Sequence, residues 1–143
     1  MAVFSPKDLT VVLNGVEISD WADGSDTIVA ENGAENGRLI IGNDGRGIFV
    51  ANVNESGTLT LKLKQHSPDN EYLSKLHAQQ KNSIRSFVPF ELTIKDINNE
   101  DIVTGSKGYF TQAKNFTRGD AHNPTVWVIV FERLNISFAR GSV

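Results

Sequence analysis

Three histidines are the side chains best suited to acid–base or metal chemistry in this sequence, and they lie far apart along it. His66, His77 and His122 form no pair at the spacing of a helical metal site, and the chain has no cysteine to complete a zinc set. Isolated histidines in polar stretches are typical of solvent-exposed side chains. We therefore interpret all three as surface residues and predict no metal site and no cofactor.

Two other stretches contain residue types that bind phosphate or calcium, but their spacing argues against both ligands. Segment 42–47 has the pattern Gly-x-x-Gly-x-Gly, yet it lacks the Lys-Ser/Thr of a phosphate loop and precedes no helix. The acidic residues Asp96, Glu100 and Asp101 lack the spacing of a calcium loop, so we interpret them as a solvated hairpin turn. No Gly-x-Ser-x-Gly sequence marks a serine nucleophile. The sequence therefore predicts no catalytic residue, and hence no enzyme.

The composition is that of an ordinary globular domain. The chain has 143 residues, of which 39% are hydrophobic and 22% charged, so we expect a single domain over residues 1–143. The net charge of −3 argues against adhesive binding to nucleic acid. The N-terminus lacks the basic and apolar regions of a secretory signal. The longest apolar run, 126–131, is too short to cross a bilayer, so no membrane partner is predicted.

Short alternating runs separated by Asn-Gly and Asp-Gly pairs predict an antiparallel β structure. Leu9–Leu13 and Val16–Ile18 flank Asn14-Gly15, which tolerates the positive φ angles of a type I′ hairpin turn. Residues 56–64 form the clearest strand, with leucines at alternate positions and threonine or lysine between them. This segment predicts a sheet with one buried and one wet face.

One helix is predicted over residues 68–81, directly after this strand. Ser67 suits the N-cap and Pro68 the first helical position, and both precede acidic residues that favour the positive end of the helix dipole. The apolar face, which we expect to cap the sheet, comprises Tyr72, Leu73 and Leu76.

The C-terminal half of the chain predicts four further strands, at 87–96, 101–104, 109–114 and 125–138. In the first of these, Pro89 indicates an edge or a bulge. The inward side chains expected there are Val88, Phe90, Leu92 and Ile94. The last strand begins with apolar residues on both faces, so we expect a cover on each side, by the core on one and by the helix or another chain on the other.

Segment 31–54 predicts a long hairpin arm with a flexible tip. It contains two Asn-Gly pairs and one Asp-Gly pair, which make it mobile in a free subunit. Its apolar residues need a surface from elsewhere in the fold or from another chain, and we expect the arm to become ordered there. The alternative is an ordinary core hairpin. The apolar residues concerned are Leu39, Ile40, Ile41, Ile48, Phe49 and Val50.

The order of several motifs resembles a known structural family. A Ser-Pro arm occupies residues 4–8, an Asn-Gly hairpin 12–16 and a Trp-Ala-Asp-Gly turn 21–25. A strand over 56–63 leads into the Ser-Pro-capped helix, and Trp127 lies near the start of the long last strand. Taken together, these features resemble the inner tail tube protein of contractile-tailed bacteriophages.

The resemblance implies a β-sandwich or barrel with one capping helix, an N-terminal arm over residues 1–8 and the hairpin arm. It implies that six copies form a ring and that stacked rings form a tube inside a contractile sheath. DNA or a tape-measure protein would occupy the bore without specific binding, and the tube would do no chemistry. The location implied is the virion tail, after assembly in the host cytoplasm. The subunit interface expected on this basis adds Phe4 and Trp127 to the six apolar residues of the arm.

Two alternatives stay open at this point. The tube protein of a bacteriocin or of a type VI secretion machine would assemble in the same way. The neighbouring genes would distinguish such a protein from a phage tail tube protein. A monomeric carbohydrate-binding β-sandwich belongs to a different class and would need an exposed platform of aromatic side chains.

Overall fold

The architecture is mainly antiparallel β, as seen in a computed structural model that describes residues 9–22, 26–97 and 100–138. The N-terminal arm (1–8) and the turn at 23–25 lie outside the described residues. The elements are β1 (Leu9–Leu13), β2 (Val16–Ile18), β3 (Ile28–Asn32), β4 (Gly37–Ile41), β5 (Gly47–Ala51), β6 (Gly57–Leu63), α1 (Asp69–Asn82), β7 (Phe90–Asp96), β8 (Ile102–Phe110) and β9 (Thr125–Ser137).

Seven of the strands form one sheet in the order β2-β1-β7-β8-β9-β6-β3, and β4 pairs with β5 in a second, separate sheet. All of these pairings are antiparallel. Within the described ranges β2 and β3 remain the two edges of the large sheet, so the sheet does not close into a barrel. The predicted class, antiparallel β with one helix, is confirmed, and the arrangement is consistent with a β-sandwich.

The core lies on one face of the large sheet. In β6, Leu59, Leu61 and Leu63 are fully buried, while the threonines and lysine between them are only half-buried on the other face. This confirms the strict alternation expected for residues 56–64. The same core takes up the inward side chains of β1, β7 and β9, so a single apolar cluster holds the domain together.

The predicted hairpin of β1 and β2 is confirmed. Asn14 and Gly15 have φ angles of 51° and 81°, the two positive values that a type I′ turn requires. The turn is also tied to β7, because the Asn14 carboxamide accepts a hydrogen bond from the Glu91 amide at 2.7 Å. The Asn14 amide in turn donates to the Glu91 carbonyl at 3.0 Å.

The helix α1 closes the inner side of the sheet. Pro68 has helical angles (φ −64°, ψ −20°), and the hydroxyl oxygen of Ser67 accepts a hydrogen bond from the Asp69 amide at 3.2 Å. Ser67 therefore performs the capping role, one residue before the proline. Leu73 is fully buried in the core, whereas Tyr72 and Leu76 are partly buried against it.

Polar side chains of α1 fasten the helix to β8 and to the residue that follows β2. The Gln80 carboxamide forms two hydrogen bonds with the backbone of Phe110, as donor to its carbonyl and acceptor from its amide, both at 2.8 Å. The carboxylate of Asp69 accepts a hydrogen bond from the Ser19 amide at 2.8 Å. Phe110 pairs with Ile129 of β9 on one side, and on the other side, where the pairing with β7 has ended at Gly108, the Gln80 carboxamide takes the place of a strand partner.

The prediction of two strands at 101–104 and 109–114 is wrong in two respects. A single strand, β8, runs without a break from Ile102 to Phe110, and residues 111–114 lie beyond its end and form no strand. Gly105 and Gly108, which lie between the two predicted strands, do not interrupt β8. They lie beneath the ring of Phe131 on β9, where a Cβ at Gly105 would come within 2.9 Å of Phe131 Cδ1 and one at Gly108 would overlap the same ring. The glycines therefore allow a close approach between neighbouring strands.

The inward alternation predicted for residues 87–96 fails at its start. Val88 is 70% exposed, and Phe87 occupies the core instead, at 5% exposure. The reason is that β7 begins only at Phe90, after Pro89, so the two residues before the proline do not follow the strand period. A bulge does lie opposite the start of β7, but its extra residue is in β8, because the register passes from Phe90–Gly108 to Leu92–Gly105.

The first half of β9 is apolar on both faces, but only one face is covered. Trp127, Ile129 and Phe131 are buried in the core, where α1 also packs. On the opposite face Val126 is exposed, and the two valines that follow at alternate positions are half-buried. The expected second cover is absent from the described part of this single chain.

Candidate subunit interface

The hairpin arm begins later than the sequence predicted. Glu31 and Asn32 still belong to β3, where they pair with Thr58 and Gly57 of β6. The chain leaves the large sheet after Asn32, and its base is held by a hydrogen bond from the Gly33 amide to the Ser56 carbonyl at 3.0 Å. We define the arm as residues 33–56, with β4 and β5 as its strands.

The arm is a regular hairpin in the single chain. Five residue pairs join β4 and β5, from Gly37–Ala51 at the base to Ile41–Gly47 near the tip. The tip is closed by a hydrogen bond from the Gly42 amide to the Arg46 carbonyl at 2.8 Å, and Gly45 has the positive φ of 81° that the turn requires. The two strands of the arm are thus paired in the single chain, whereas the sequence predicted an arm that becomes ordered only against another surface.

The apolar side chains of the arm are exposed together. All six residues that the sequence assigned to a subunit interface have exposed fractions between 48% and 69%. They are Leu39, Ile40, Ile41, Ile48, Phe49 and Val50. None of them belongs to the core cluster. A soluble single chain rarely exposes so many large apolar side chains side by side, and such a patch is typical of a protein–protein contact.

Trp127 lies elsewhere, and its assignment to the interface is corrected. Its side chain is only 6% exposed, packs against Phe110 and donates a hydrogen bond from Nε1 to Oδ1 of Asn70 at 2.9 Å. It belongs to the core of its own subunit. Phe4 lies outside the described residues.

All three histidines lie at the surface, as predicted, and two of them also have hydrogen-bond partners within the fold. His77 lies with Nε2 3.2 Å from the Gln112 carbonyl, and its ring centre is 5.1 Å from that of Phe110. His122 accepts a hydrogen bond at Nε2 from the Gln65 amide at 2.9 Å. Both contacts hold segment 111–124 against the rest of the domain. The described residues contain no group of three or more side chains that could hold a metal ion.

Electrostatic perturbations are small, as is typical of a structural surface. A hydrogen bond and the charge of Lys62, whose Nζ lies 2.8 Å from Asp26 Oδ2, lower the pKa of Asp26. Partial burial raises the pKa of Tyr72. Neither group lies in a cleft beside a second perturbed group, the arrangement that a general acid–base pair would need. In the part of the chain that the structure describes, no helix is both long and apolar enough to cross a membrane.

The family is decided by a comparison over almost the whole chain. The sequence model of the bacteriophage PhiTE tail tube protein matches residues 1–139. The chain belongs to this tail tube protein family. The resemblance drawn from its motifs is thereby confirmed, and the tube protein is a structural subunit of a tube and a component of a phage-type particle.

Solved structures give the same fold. A chain in the extended sheath–tube complex of the extracellular contractile injection system PVC aligns with a TM-score of 0.60 at 13% identity, over 96% of this chain and 93% of that one. A chain in the cap that terminates the tube of the anti-feeding prophage aligns with a TM-score of 0.57 at 14% identity, over 97% and 95%. At these identities the likeness concerns the fold alone. No curated protein matches the sequence.

Proposed function

We propose that the tube protein assembles into hexameric rings, that the rings stack into a tube, and that the tube is the conduit for DNA delivery. The observation that carries this proposal is the arm, a preformed hairpin with six exposed large apolar residues outside the core. Family membership supports a tube as the product of assembly. The role is mechanical, without catalysis.

In this proposal the arm supplies the main contact between subunits, with Phe4 as a further contact. Burial of an aliphatic or aromatic side chain contributes roughly 1.5–3 kcal/mol, so six such residues offer a substantial driving force for association. Loss of translational and rotational freedom opposes it by about 4–15 kcal/mol, and the gain is smaller than the full value because these side chains are only 48–69% exposed in the single chain. The balance favours association only when most of the arm is buried.

The partners beyond the tube protein itself are a sheath, a tape-measure protein and the DNA that passes through the bore. The PVC relative by fold comes from a sheath–tube complex, which supports a sheath around this tube as well. The net charge of −3 supports passage of DNA without specific binding, because like charges repel. Assembly would take place in the host cytoplasm, and the finished tube would reside in the virion.

A second candidate is the tube of a contractile injection machine that delivers something other than a phage genome. It is favoured by the origin of the two fold relatives, an extracellular contractile injection system and an anti-feeding prophage. Particles purified from the source organism distinguish the two. A phage tail is joined to a DNA-filled capsid, whereas an injection machine has none.

Electron microscopy of the purified protein tests the assembly. We expect rings with sixfold symmetry and stacked tubes at high concentration, and a strictly monomeric protein at millimolar concentration would contradict the proposal. The variant Ile40→Asp with Phe49→Asp should stay folded, with unchanged melting, and form no tubes. The matched control is Ile84→Asp with Val88→Asp, which places the same charges on exposed apolar residues outside the arm. Tubes from the arm variant would exclude the arm as the contact.

A further inference from the structure

The chain contains three Asn-Gly pairs, which begin at Asn14, Asn32 and Asn36, and their surroundings in the fold differ. Asparagine is a chemically labile residue, and a following glycine makes it more so because no side chain shields the next backbone nitrogen. We propose that Asn36 is a site of spontaneous deamidation in the folded subunit and that the fold protects the other two. This inference goes beyond the proposed function, because it concerns the single subunit.

The reaction is an intramolecular acyl transfer that needs only water. Hydroxide removes the proton of the Gly37 amide, and the nitrogen forms a bond to Cγ of Asn36. The bond from Cγ to Nδ2 breaks, and the leaving nitrogen takes a proton from water to become ammonia, which restores the hydroxide. Water then opens the cyclic imide at either carbonyl and gives aspartate or isoaspartate. The sum is one asparagine and one water converted to one acid and one ammonia.

The attacking nitrogen, that of Gly37, is not held by a hydrogen bond. The Asn52 amide donates to the backbone carbonyl of Asn36 at 2.8 Å, so these two residues occupy a hydrogen-bonded position of the hairpin. The next pair, Gly37 with Ala51, is then a non-hydrogen-bonded position, since the two kinds alternate along an antiparallel ladder. The Gly37 amide therefore points away from β5, and no group in the described ranges accepts its proton.

The carboxamide of Asn36 is also free to turn towards this nitrogen. Asn36 is exposed and lies in the bend directly before β4, and its side chain forms no hydrogen bond with any residue that the structure describes. It lines an open groove of about 850 Å³ at the base of the arm. Water can therefore reach both the site of attack and the imide that would form there.

At Asn32 both reacting groups are held. The Gly33 amide donates to the Ser56 carbonyl at 3.0 Å, so its proton can be removed only after that bond is broken. Nδ2 of Asn32 donates to the Leu134 carbonyl at 2.8 Å, which directs the carboxamide towards β9. Two bonds must open before the reaction can start, and we expect it to be slow.

At Asn14 the carboxamide is held together with the backbone. Its Oδ1 accepts a hydrogen bond from the Glu91 amide at 2.7 Å, and the Asn14 amide donates to the Glu91 carbonyl at 3.0 Å. The residue is fixed in a left-handed conformation with a φ of 51°. The side chain must leave Glu91 before Cγ can approach the nitrogen of Gly15, so this pair is protected as well.

Packing of the arm requires the glycine that makes Asn36 reactive. A Cβ at Gly37 would come within 2.5 Å of Phe49 Cζ and within 2.5 Å of the Val50 carbonyl oxygen. A larger residue, which would shield the nitrogen, therefore does not fit there without movement of the opposite strand. The lability of this position is thus a consequence of the same packing that forms the hairpin.

Both products would change the base of the arm. Aspartate at position 36 adds a negative charge next to Glu35. Isoaspartate routes the backbone through Cβ and Cγ, so the carbonyl that accepts from the Asn52 amide becomes a carboxylate outside the main chain. The aged subunit should therefore be more acidic than the fresh one and separable from it by ion exchange.

Peptide mapping by mass spectrometry provides the first test. Cleavage after glutamate places the three pairs in different peptides, 1–17, 32–35 and 36–55. After incubation of the folded protein in mildly alkaline buffer, we expect deamidation at Asn36 to be at least tenfold faster than at Asn14 or Asn32. Protein unfolded in guanidinium chloride before the incubation is the control, and there the three pairs should react at similar rates. Equal rates in the folded protein, or a faster reaction at either of the other two, would overturn the inference.

Enzymatic methylation of isoaspartate provides a second readout. The wild type, aged in the same way and treated with an isoaspartyl methyltransferase and labelled S-adenosylmethionine, should take up label. Asn36→Gln should lose most of this signal, because glutamine cyclises far more slowly, and should melt as the wild type does. Asn43→Gln, at another exposed asparagine of the arm, is the matched control and should keep the signal. Label that persists in Asn36→Gln would overturn the inference. Neither readout requires assembly, so a subunit that forms no tubes would contradict the proposed function alone.

Discussion

The indole Nε1 of Trp127 donates a hydrogen bond to Oδ1 of Asn70 at 2.9 Å, and this bond joins the start of β9 to the first turn of α1. The tryptophan is 6% exposed, so the bond lies where water does not replace it readily. The Asn70 carboxamide also donates to the Lys64 carbonyl at 3.0 Å. One asparagine therefore links the end of β6, the helix and the last strand.

Breaking this link should lower the free energy of unfolding measurably. In a double-mutant cycle of Trp127→Phe and Asn70→Ala, followed by denaturant unfolding, we expect a coupling energy of about 0.5–1.5 kcal/mol. Trp127→Phe alone should cost more than this, because the smaller ring also leaves space in the core. Additive effects of the two substitutions would show that the bond contributes nothing to stability.

Gly108→Ala should destabilise the domain by about 1–3 kcal/mol, because the added methyl group would overlap the Phe131 ring and the two strands would have to separate. Thermal unfolding measures the change. Gly119→Ala is the matched control, since the nearest atom to its Cβ would be 3.8 Å away, and its effect should be below about 0.5 kcal/mol. Equal melting of both variants would contradict the close packing of β8 and β9.

Substitutions on the apolar face of α1 should lower the free energy of unfolding by different amounts, according to how deeply each side chain is buried. Leu73→Ala removes a fully buried side chain and should cost about 2–5 kcal/mol, whereas Leu76→Ala, at a partly buried position, should cost less. Urea unfolding of the two variants side by side gives the ranking. If Leu76→Ala proves the more costly of the two, the helix is rotated relative to the packing described above.

Tyr72 should make the domain less stable at alkaline pH. Burial raises the pKa of its phenol, so its contribution is complete below the unfolded pKa of about 10 and is lost as the pH rises through the folded value. The free energy of unfolding of the wild type should therefore fall more steeply above pH 10 than that of Tyr72→Phe. Tyr109→Phe, on the opposite face of the sheet, controls for the substitution itself. Parallel curves for wild type and Tyr72→Phe would mean that the phenol is not desolvated.

The local sequence pattern was enough to predict much of the fold. The alternation of β6, the Asn14-Gly15 turn and the Ser67-Pro68 helix start each depend on neighbouring residues, so each was predictable from sequence. The exposure of the arm was predictable in the same way, because its apolar residues are too few to form a core of their own.

The errors arose where a distant residue decides the structure. Gly105 and Gly108 resemble strand breakers in sequence, and only the position of Phe131 on another strand shows why β8 continues through them. Trp127 is buried in the core cluster and donates a hydrogen bond to Asn70, which is 57 residues away. The partners of His77 and His122 are likewise remote backbone groups. Such pairings are set by the tertiary fold, and no periodicity in the local sequence predicts them.

The preformed ladder of the arm has a consequence for the rate at which a tube would grow. Because β4 and β5 are already paired in the single chain, an incoming subunit would not have to fold a segment on arrival. The rate of elongation would then be limited by diffusion and by the need to orient the hairpin relative to the surface that binds it, as in the association of two rigid proteins. In the first ring of the proposed tube, however, the contact surface for an arm is incomplete until several copies have met. The expected time course is a concentration-dependent lag followed by rapid growth.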